Sequence, residues 1–275
     1  MGYPGTTGLT AMDYFFADRF FVPPGKFDDQ FTEKIIRLPA VAPFLPSKNA
    51  PPVGPLPADA NGFVTFGSFN RLNKINVATI ALWSALLRAL PNSRMLIAGI
   101  PASGAPNTLI ESFAREGIPR QRLEFHARSD MDTYLGLHQR IDLCLDAYPY
   151  NGGTTTLHAL WMGVPTLTRA GETVAGRTGA FVLSHVGLDA FVARDDAEFL
   201  AKGIAWASNL AVLSDIRIGL RQRFLQSALA QPELIAAGVE CALRTAWRRW
   251  CAGLPTESFE VTAEELRLRA AEPRQ

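Results

Sequence analysis

From Gly62 to Thr168, β-rich segments alternate with amphipathic helical ones, and this alternation constrains the fold more than any other feature of the chain. A first strand is expected over 63–69, rich in β formers and ending at a polar loop, 70–76. Val77, Ile80, Trp83, Leu87 and Leu90 then recur at spacings of three and four, which predicts a helix that Pro91 stops. A second strand follows at 95–98, with a helix at 108–116 closed by Gly117. The third strand is expected at 123–125 and the next helix at 131–138. The fourth strand is expected at 141–146, its helix at 154–162 closed by Gly163, and the fifth strand at 164–168. Strands joined by helical crossovers run parallel, so the pattern predicts an α/β, doubly wound, Rossmann-like sheet with helices on both faces. Three more helices are expected near 197–209, 213–229 and 233–250.

The flanks differ. Seven prolines fall between Pro39 and Pro57, too many for regular structure. The first sixty residues could not build a core alone. The division expected is the tail end of something larger with a Pro-rich linker (1–60), a Rossmann-like ligand-binding unit with C-terminal helices (61–252) and a polar tail (253–275).

Composition narrows the function classes. Lys and Arg number 27 against 26 Asp and Glu, a net charge of +1 that leaves no electrostatic footprint for nucleic acid. With 48% hydrophobic and 19% charged residues the chain is not a disordered one. Its apolar runs stop far short of a membrane span, and residues 1–10 have neither a basic start nor an apolar run. Met1-Gly2-Tyr3-Pro4-Gly5-Thr6 matches the loose N-myristoylation pattern, but Pro4 and Gly5 read as turn chemistry. Three cysteines (Cys144, Cys241, Cys251), odd in number and without metal spacing, read as reduced. A soluble, cytoplasmic globular protein is expected.

In an open parallel sheet, ligands bind beyond the carboxyl ends of the strands. Two loops there carry chemistry. Tyr148-Pro149-Tyr150-Asn151-Gly152-Gly153-Thr154-Thr155-Thr156 follows the fourth strand. Its glycines admit close backbone approach, and its threonines open a helix whose N–H groups and dipole favour an anion. The alternative is an ordinary Gly turn with a Thr N-cap. The loop is neither a Walker A nor a G-x-G-x-x-G sequence. His158 shares a helix face with Thr154 and Thr155, facing either a ligand's sugar ring or the core. In the loop Asn70-Arg71-Leu72-Asn73-Lys74, Arg71 and Lys74 read either as diphosphate ligands or as solvated surface charges. Asp142 and Asp146, four apart, are expected on one strand face, with Asp146 ordering the Gly loop by accepting N–H bonds. Arg177 opens the helix after the fifth strand and reads as a ligand contact or a partner of Glu172. The histidines 126, 138 and 185 have no metal spacing, and no Ser/His/Asp set assembles.

Several of these segments together resemble the O-GlcNAc transferase (SPINDLY-like) family. They are Phe66-Gly67-Ser68-Phe69-Asn70-Arg71-Leu72-Asn73-Lys74-Ile75, Asp142-Leu143-Cys144-Leu145-Asp146, Tyr150-Asn151-Gly152-Gly153-Thr154-Thr155-Thr156 and Leu160-Trp161-Met162-Gly163-Val164-Pro165. Gly171-Glu172-Thr173 with Arg177, and Gly2-Tyr3-Pro4-Gly5-Thr6-Thr7-Gly8 with Met12-Asp13-Tyr14, fit the same pattern. The resemblance implies the second lobe of a GT-B glycosyltransferase. It implies an inverting, metal-independent enzyme that moves N-acetylglucosamine from UDP-GlcNAc to Ser/Thr hydroxyls of proteins. It makes Lys74 the diphosphate-binding lysine that stabilises departing UDP, and Thr154 and Thr155 the phosphate-contacting threonines. The implied donor set is Arg71, Lys74, Tyr134, Asn151, Gly152, Gly153, Thr154, Thr155, His158 and Arg177, with no metal ligand and no cofactor.

There are departures. Arg71 stands where animal members carry Gln, Asn73 replaces Tyr, Gly153 replaces His, and His158 replaces a ribose-contacting Asp. Tyr134 falls near the position of a uracil-stacking His. The family's tetratricopeptide array and most of its first lobe are expected to precede Gly2, in cis, or to be supplied in trans. The expected partners are a UDP-sugar and a protein acceptor, with neither nucleic acid nor membrane. The alternative function is a truncated, non-catalytic nucleotide-binding or interaction module. An unrelated Rossmann oxidoreductase is weaker, because no dinucleotide fingerprint follows the first strand.

Overall fold

The computed structural model describes residues 5–101 and 106–271. The myristoylation-like Met1 to Pro4, the start of the Gly2–Gly8 motif, and residues 272–275 of the expected tail lie outside the described residues. Two strands come first, β1 (Tyr14–Ala17) and β2 (Lys34–Arg37), then a short helix, α1 (Pro57–Asn61). The alternating region follows as β3 (Thr65–Ser68), α2 (Val77–Ala89), β4 (Arg94–Ile100), α3 (Asn107–Arg115), β5 (Leu123–Ala127) and α4 (Met131–Leu137). It continues through β6 (Leu143–Leu145), α5 (Thr154–Trp161), β7 (Thr166–Arg169), α6 (Thr178–His185), β8 (Val192–Ala193) and α7 (Asp196–Ala207). The chain then runs through α8 (Leu210–Gln226), α9 (Pro232–Cys251), β9 (Phe259–Glu260) and α10 (Ala263–Ala271).

All of the strands from β3 to β8 run parallel in one sheet of order β5-β4-β3-β6-β7-β8. The five expected strands are present, and the two-residue β8 adds a sixth. Every residue of β3 and β6 is buried, as strands covered by helices on both faces require. Helix α2 starts where the Asn76 side chain accepts the Thr79 N–H at 2.9 Å, and it buries Ile80, Trp83, Leu86 and Leu87. Gly163 closes the turn after α5 with φ of 77°. A Cβ there would sit 2.5 Å from Val53 Cγ1 and 2.9 Å from the Arg217 carbonyl, so only glycine fits. Arg217 itself is fully buried, donating to the carbonyls of Gly54 and Ile141 at 2.8 Å each.

Asp142 and Asp146 are not a pair on one face, because the regular strand covers only the three residues between them. Asp142, at the amino end, accepts the Ala58 and Thr65 N–H groups at 2.8 Å each and so anchors α1 and β3. Asp146 lies at the carboxyl end, among the loops of the candidate site.

The chain divides into two compact units, residues 46–224 and residues 1–45 with 225–275. These boundaries differ from the expected ones. In the second unit, β1, β2 and β9 form a parallel sheet of order β1-β2-β9, with Ile36 opposite Phe259 and Arg37 opposite Glu260. Its core joins Ile36 and Leu38 to Cys241 and Ala242 of α9 and to Val261 and Leu266. The expected polar tail at 253–275 thus contributes a strand and a helix. Ile36 and Leu38 of the first segment reach this core through residues near the other end of the chain, which is why the first segment alone reads as coreless. No helix among the described residues is long and apolar enough to cross a membrane.

Candidate functional site

The strand order reverses between β3 and β6, since β3 continues to β4 on one side and β6 to β7 on the other. Such a reversal opens a crevice at the carboxyl ends of the two strands. The loop after β3 and the loop after β6 meet there.

Asp146 organises both loops. Its Oδ1 accepts the Gly152 N–H at 2.7 Å, the Ala147 N–H at 2.9 Å and the Asn70 amide at 3.2 Å. Its Oδ2 accepts the Thr168 hydroxyl at 2.7 Å. Burial pushes its carboxyl up to about 6, against the pull of those hydrogen bonds. The sequence-based expectation that Asp146 orders the Gly loop is met by the Gly152 bond. Asn70 extends the same network, its Oδ1 lying 3.5 Å from the Thr155 hydroxyl.

Lys74 ends a single 3-10 turn, Leu72–Lys74. Its Nζ donates to the Asn151 carbonyl at 2.7 Å and stands 3.9 Å from the Tyr150 ring centroid. The lysine therefore bridges the two loops across the crevice. Burial holds its ammonium below the usual lysine range; the Asp146 carboxylate opposes that shift, and Arg71 adds to it. Two cations beside one crevice repel each other, so an anion placed between them is stabilised.

Helix α5 begins at Gly153, with φ of −115° and ψ of −85°, and no side chain caps it. The positive end of its dipole is therefore not offset by a capping group. Thr154 is exposed, Thr155 half-buried and Thr156 buried in its first turn. Gly152 is held at close quarters: a Cβ there would meet the Thr155 hydroxyl oxygen at 2.6 Å and that of Thr156 at 2.9 Å. Gly152→Ala is expected to shift the helix start, lowering stability by about 1–3 kcal/mol. Urea denaturation measures the loss; an unchanged midpoint would show that the threonines rotate away at no cost.

His158 and Tyr134 share a hydrogen bond between Nδ1 and the phenol at 3.2 Å. The Tyr134 ring packs edge-on against Phe69, His138 and His158, with centroids 5.2–5.3 Å away. Burial pushes its phenol above the usual range, so it stays a neutral hydroxyl. Tyr134 thus supports His158 through its hydroxyl and its ring. Arg177 is half-buried at the end of the Val174–Arg177 turn, where burial lowers its affinity for the proton and the Glu172 carboxylate restores part of it. That turn touches the Gly loop: the Ala175 carbonyl accepts the Asn151 N–H at 3.4 Å.

The structure brings Lys74, Asn151, Gly152 and Thr155 into one network and places His158 with Tyr134 beside it. Arg71 and Thr154 are exposed at its edge. Asn70 and Tyr150 belong to the site and were missed, because a single polar residue after a strand and an aromatic before a Gly pair carry no chemical signature of their own. A cavity of about 620 Å³ lies elsewhere, at the amino ends of β3, β4 and β5. Its arginines are engaged within the chain. Arg122 donates to the carbonyls of Leu87, Leu90 and Ser93, Arg140 pairs with Glu124, and Arg94 lies over the Phe63 ring.

A profile of glycosyl transferase family 41 matches residues 54–237, which include both crevice loops. The chain belongs to glycosyl transferase family 41. Among curated relatives, it is 35% identical to a probable UDP-N-acetylglucosamine–peptide N-acetylglucosaminyltransferase SPINDLY of rice over 260 residues, 92% of this chain. It is 27% identical to the corresponding SEC protein of Arabidopsis thaliana over 97% of its length. It spans 28% of the length of each of these relatives. A solved O-GlcNAc transferase of Thermobaculum terrenum superposes with a TM-score of 0.76 at 34% identity, over 91% of this chain and 48% of that one. A sucrose-phosphate synthase of Thermosynechococcus elongatus, 15% identical with a TM-score of 0.57 over 87% of this chain and 59% of that one, shares the fold. The fold is that of the GT-B glycosyltransferases, as the family 41 resemblance implies.

Proposed function

We propose that this chain is the donor-binding portion of a protein O-glycosyltransferase that takes a UDP-sugar, N-acetylglucosamine by the names of its relatives, and transfers it to Ser/Thr hydroxyls with inversion. The observation that carries this reading is the span of Lys74 from the β3 loop to the Asn151 carbonyl at 2.7 Å, beside the uncapped start of α5. A diphosphate in that crevice meets an ammonium on one side and a helix dipole on the other. In an in-line displacement, the acceptor oxygen bonds to the anomeric carbon as the bond to the diphosphate breaks. The negative charge leaving with UDP then falls where Lys74 and the helix start are already placed. No metal enters this scheme, since Lys74 and the α5 dipole supply the positive charge. These loops provide no general base, because the Asp146 carboxylate is committed to Gly152, Ala147, Asn70 and Thr168. The base and the acceptor wall belong to this proposal as parts of the remaining length of a family 41 enzyme, with its tetratricopeptide repeats, in the cytoplasm.

Calorimetric titration of the chain with UDP, with ADP and NAD as controls, tests the reading. Selective binding of UDP is expected. Equal binding of all three, or of none, would overturn the UDP-donor assignment and favour a non-catalytic interaction module.

A further inference from the structure

Tyr150 sits at the tip of the Gly loop, 44% exposed, in a position where no core packing demands an aromatic ring. Its ring face lies under the Lys74 ammonium at 3.9 Å, while the carbonyl of the next residue, Asn151, accepts a hydrogen bond from the same Nζ. The Gly loop therefore grips one ammonium from two directions, with a ring face and a carbonyl. An ammonium has three donors, and the carbonyl uses one. Half-buried, it has lost part of its hydration, and a ring face returns part of that loss because its quadrupole is negative. The charged groups acting on Lys74 are Asp146, from the end of β6, and Arg71, from its own turn, with opposite effects.

We propose that Tyr150 is a positioning residue whose ring face keeps the Lys74 ammonium charged and aimed across the crevice at the donor diphosphate. This rests on the donor-lobe reading for the identity of the ligand, but not for the effect of the ring on Lys74. The contact leaves Nζ free to exchange the Asn151 carbonyl for a phosphate oxygen while the ring stays beneath it. An aliphatic residue of similar size would fill the same space without the quadrupole.

The test uses Tyr150→Phe, Tyr150→Trp and Tyr150→Leu. The chain has five lysines, so ε-¹³C-lysine labelling gives few enough NMR signals to follow each through a pH titration, with Lys74→Ala identifying the Lys74 signal. Tyr150→Leu is expected to lower the Lys74 midpoint by about 0.5–1 pH unit. It is also expected to weaken UDP about three- to ten-fold and to move the alkaline loss of UDP affinity to lower pH. Tyr150→Phe is expected to keep both properties, and Tyr150→Trp to keep or strengthen them. An unchanged Lys74 midpoint in Tyr150→Leu overturns the proposal, as does an equal loss in Tyr150→Phe, which would assign the effect to the hydroxyl. Should the Leu variant fail to fold, a Trp variant with a lowered midpoint would overturn it. Absence of UDP binding by the wild type would overturn the donor reading, while the Lys74 midpoints still decide whether the ring holds the ammonium.

Discussion

Lys74→Ala is expected to weaken UDP binding about ten- to a hundred-fold, the equivalent of one charge-assisted hydrogen bond to a diphosphate in a partly desolvated crevice. Stability should change little. The substitution removes one hydrogen bond to the Asn151 carbonyl, and it also removes a half-buried cation beside Arg71. These effects oppose each other, and the net change is expected to stay within about 1 kcal/mol. Calorimetry and a thermal melt on the same sample separate binding from folding. An affinity equal to that of the wild type would remove Lys74 from the donor site, and with it the argument from the leaving diphosphate.

The largest effect on stability is expected at Asp146. Asp146→Ala leaves the Gly152 and Ala147 N–H groups, the Asn70 amide and the Thr168 hydroxyl without their common acceptor. Relief from burying a charge offsets part of this, so a net loss of about 2–4 kcal/mol is expected. Asp146→Asn should cost far less. Its carbonyl oxygen can accept the three N–H donors while its amide faces the Thr168 hydroxyl, which also accepts. Similar urea midpoints for the two variants would show that Asp146 does not organise the loops.

The pH dependence has a definite sign. The Asp146 carboxyl is raised from 3.8 to about 6 in the folded chain, so over that interval the folded state holds a proton that the unfolded state has released. Its contribution to stability is full below about pH 4 and declines as pH rises through about 6, by about 2–3 kcal/mol in all. The Asn variant lacks this titration. The stability of the wild type relative to Asp146→Asn should therefore fall between pH 4 and pH 6 and then level off. A difference that is flat, or that grows with pH, would contradict the burial of an otherwise ionised carboxylate.

Much of the larger unit was legible because its signals are local. The spacing of Ile80 and Trp83, the stop at Pro91 and the left-handed Gly163 each act within one element, and each element formed near its expected bounds. The Gly152–Thr155 loop was legible for the same reason, since a Gly pair before threonines at a strand end carries its meaning in consecutive residues. What the sequence did not show depends on partners far along the chain. Strand β2 is four residues long and stands before a proline-rich stretch; it pairs with β1, twenty residues back, and on its other edge Ile36 meets Phe259, more than two hundred residues on. The even spacing of Asp142 and Asp146 misled because it assumed one continuous strand. Their environments are set instead by Ala58 and Thr65 at one end and by Asn70, Gly152 and Thr168 at the other.

The sequence by itself determined the alternation of strands and helices, and therefore a parallel sheet with its ligand crevice at the carboxyl ends. Periodicity and turn chemistry are properties of neighbouring residues, and they survive without knowledge of what packs on them. Only the tertiary structure decided which loops share the reversal point and that Lys74 reaches across it to Asn151. It alone placed Tyr150 under the ammonium and showed that the first and last segments build one core. Each of these is a contact between distant residues, whose loop-closure entropy is repaid only when the whole sheet has formed.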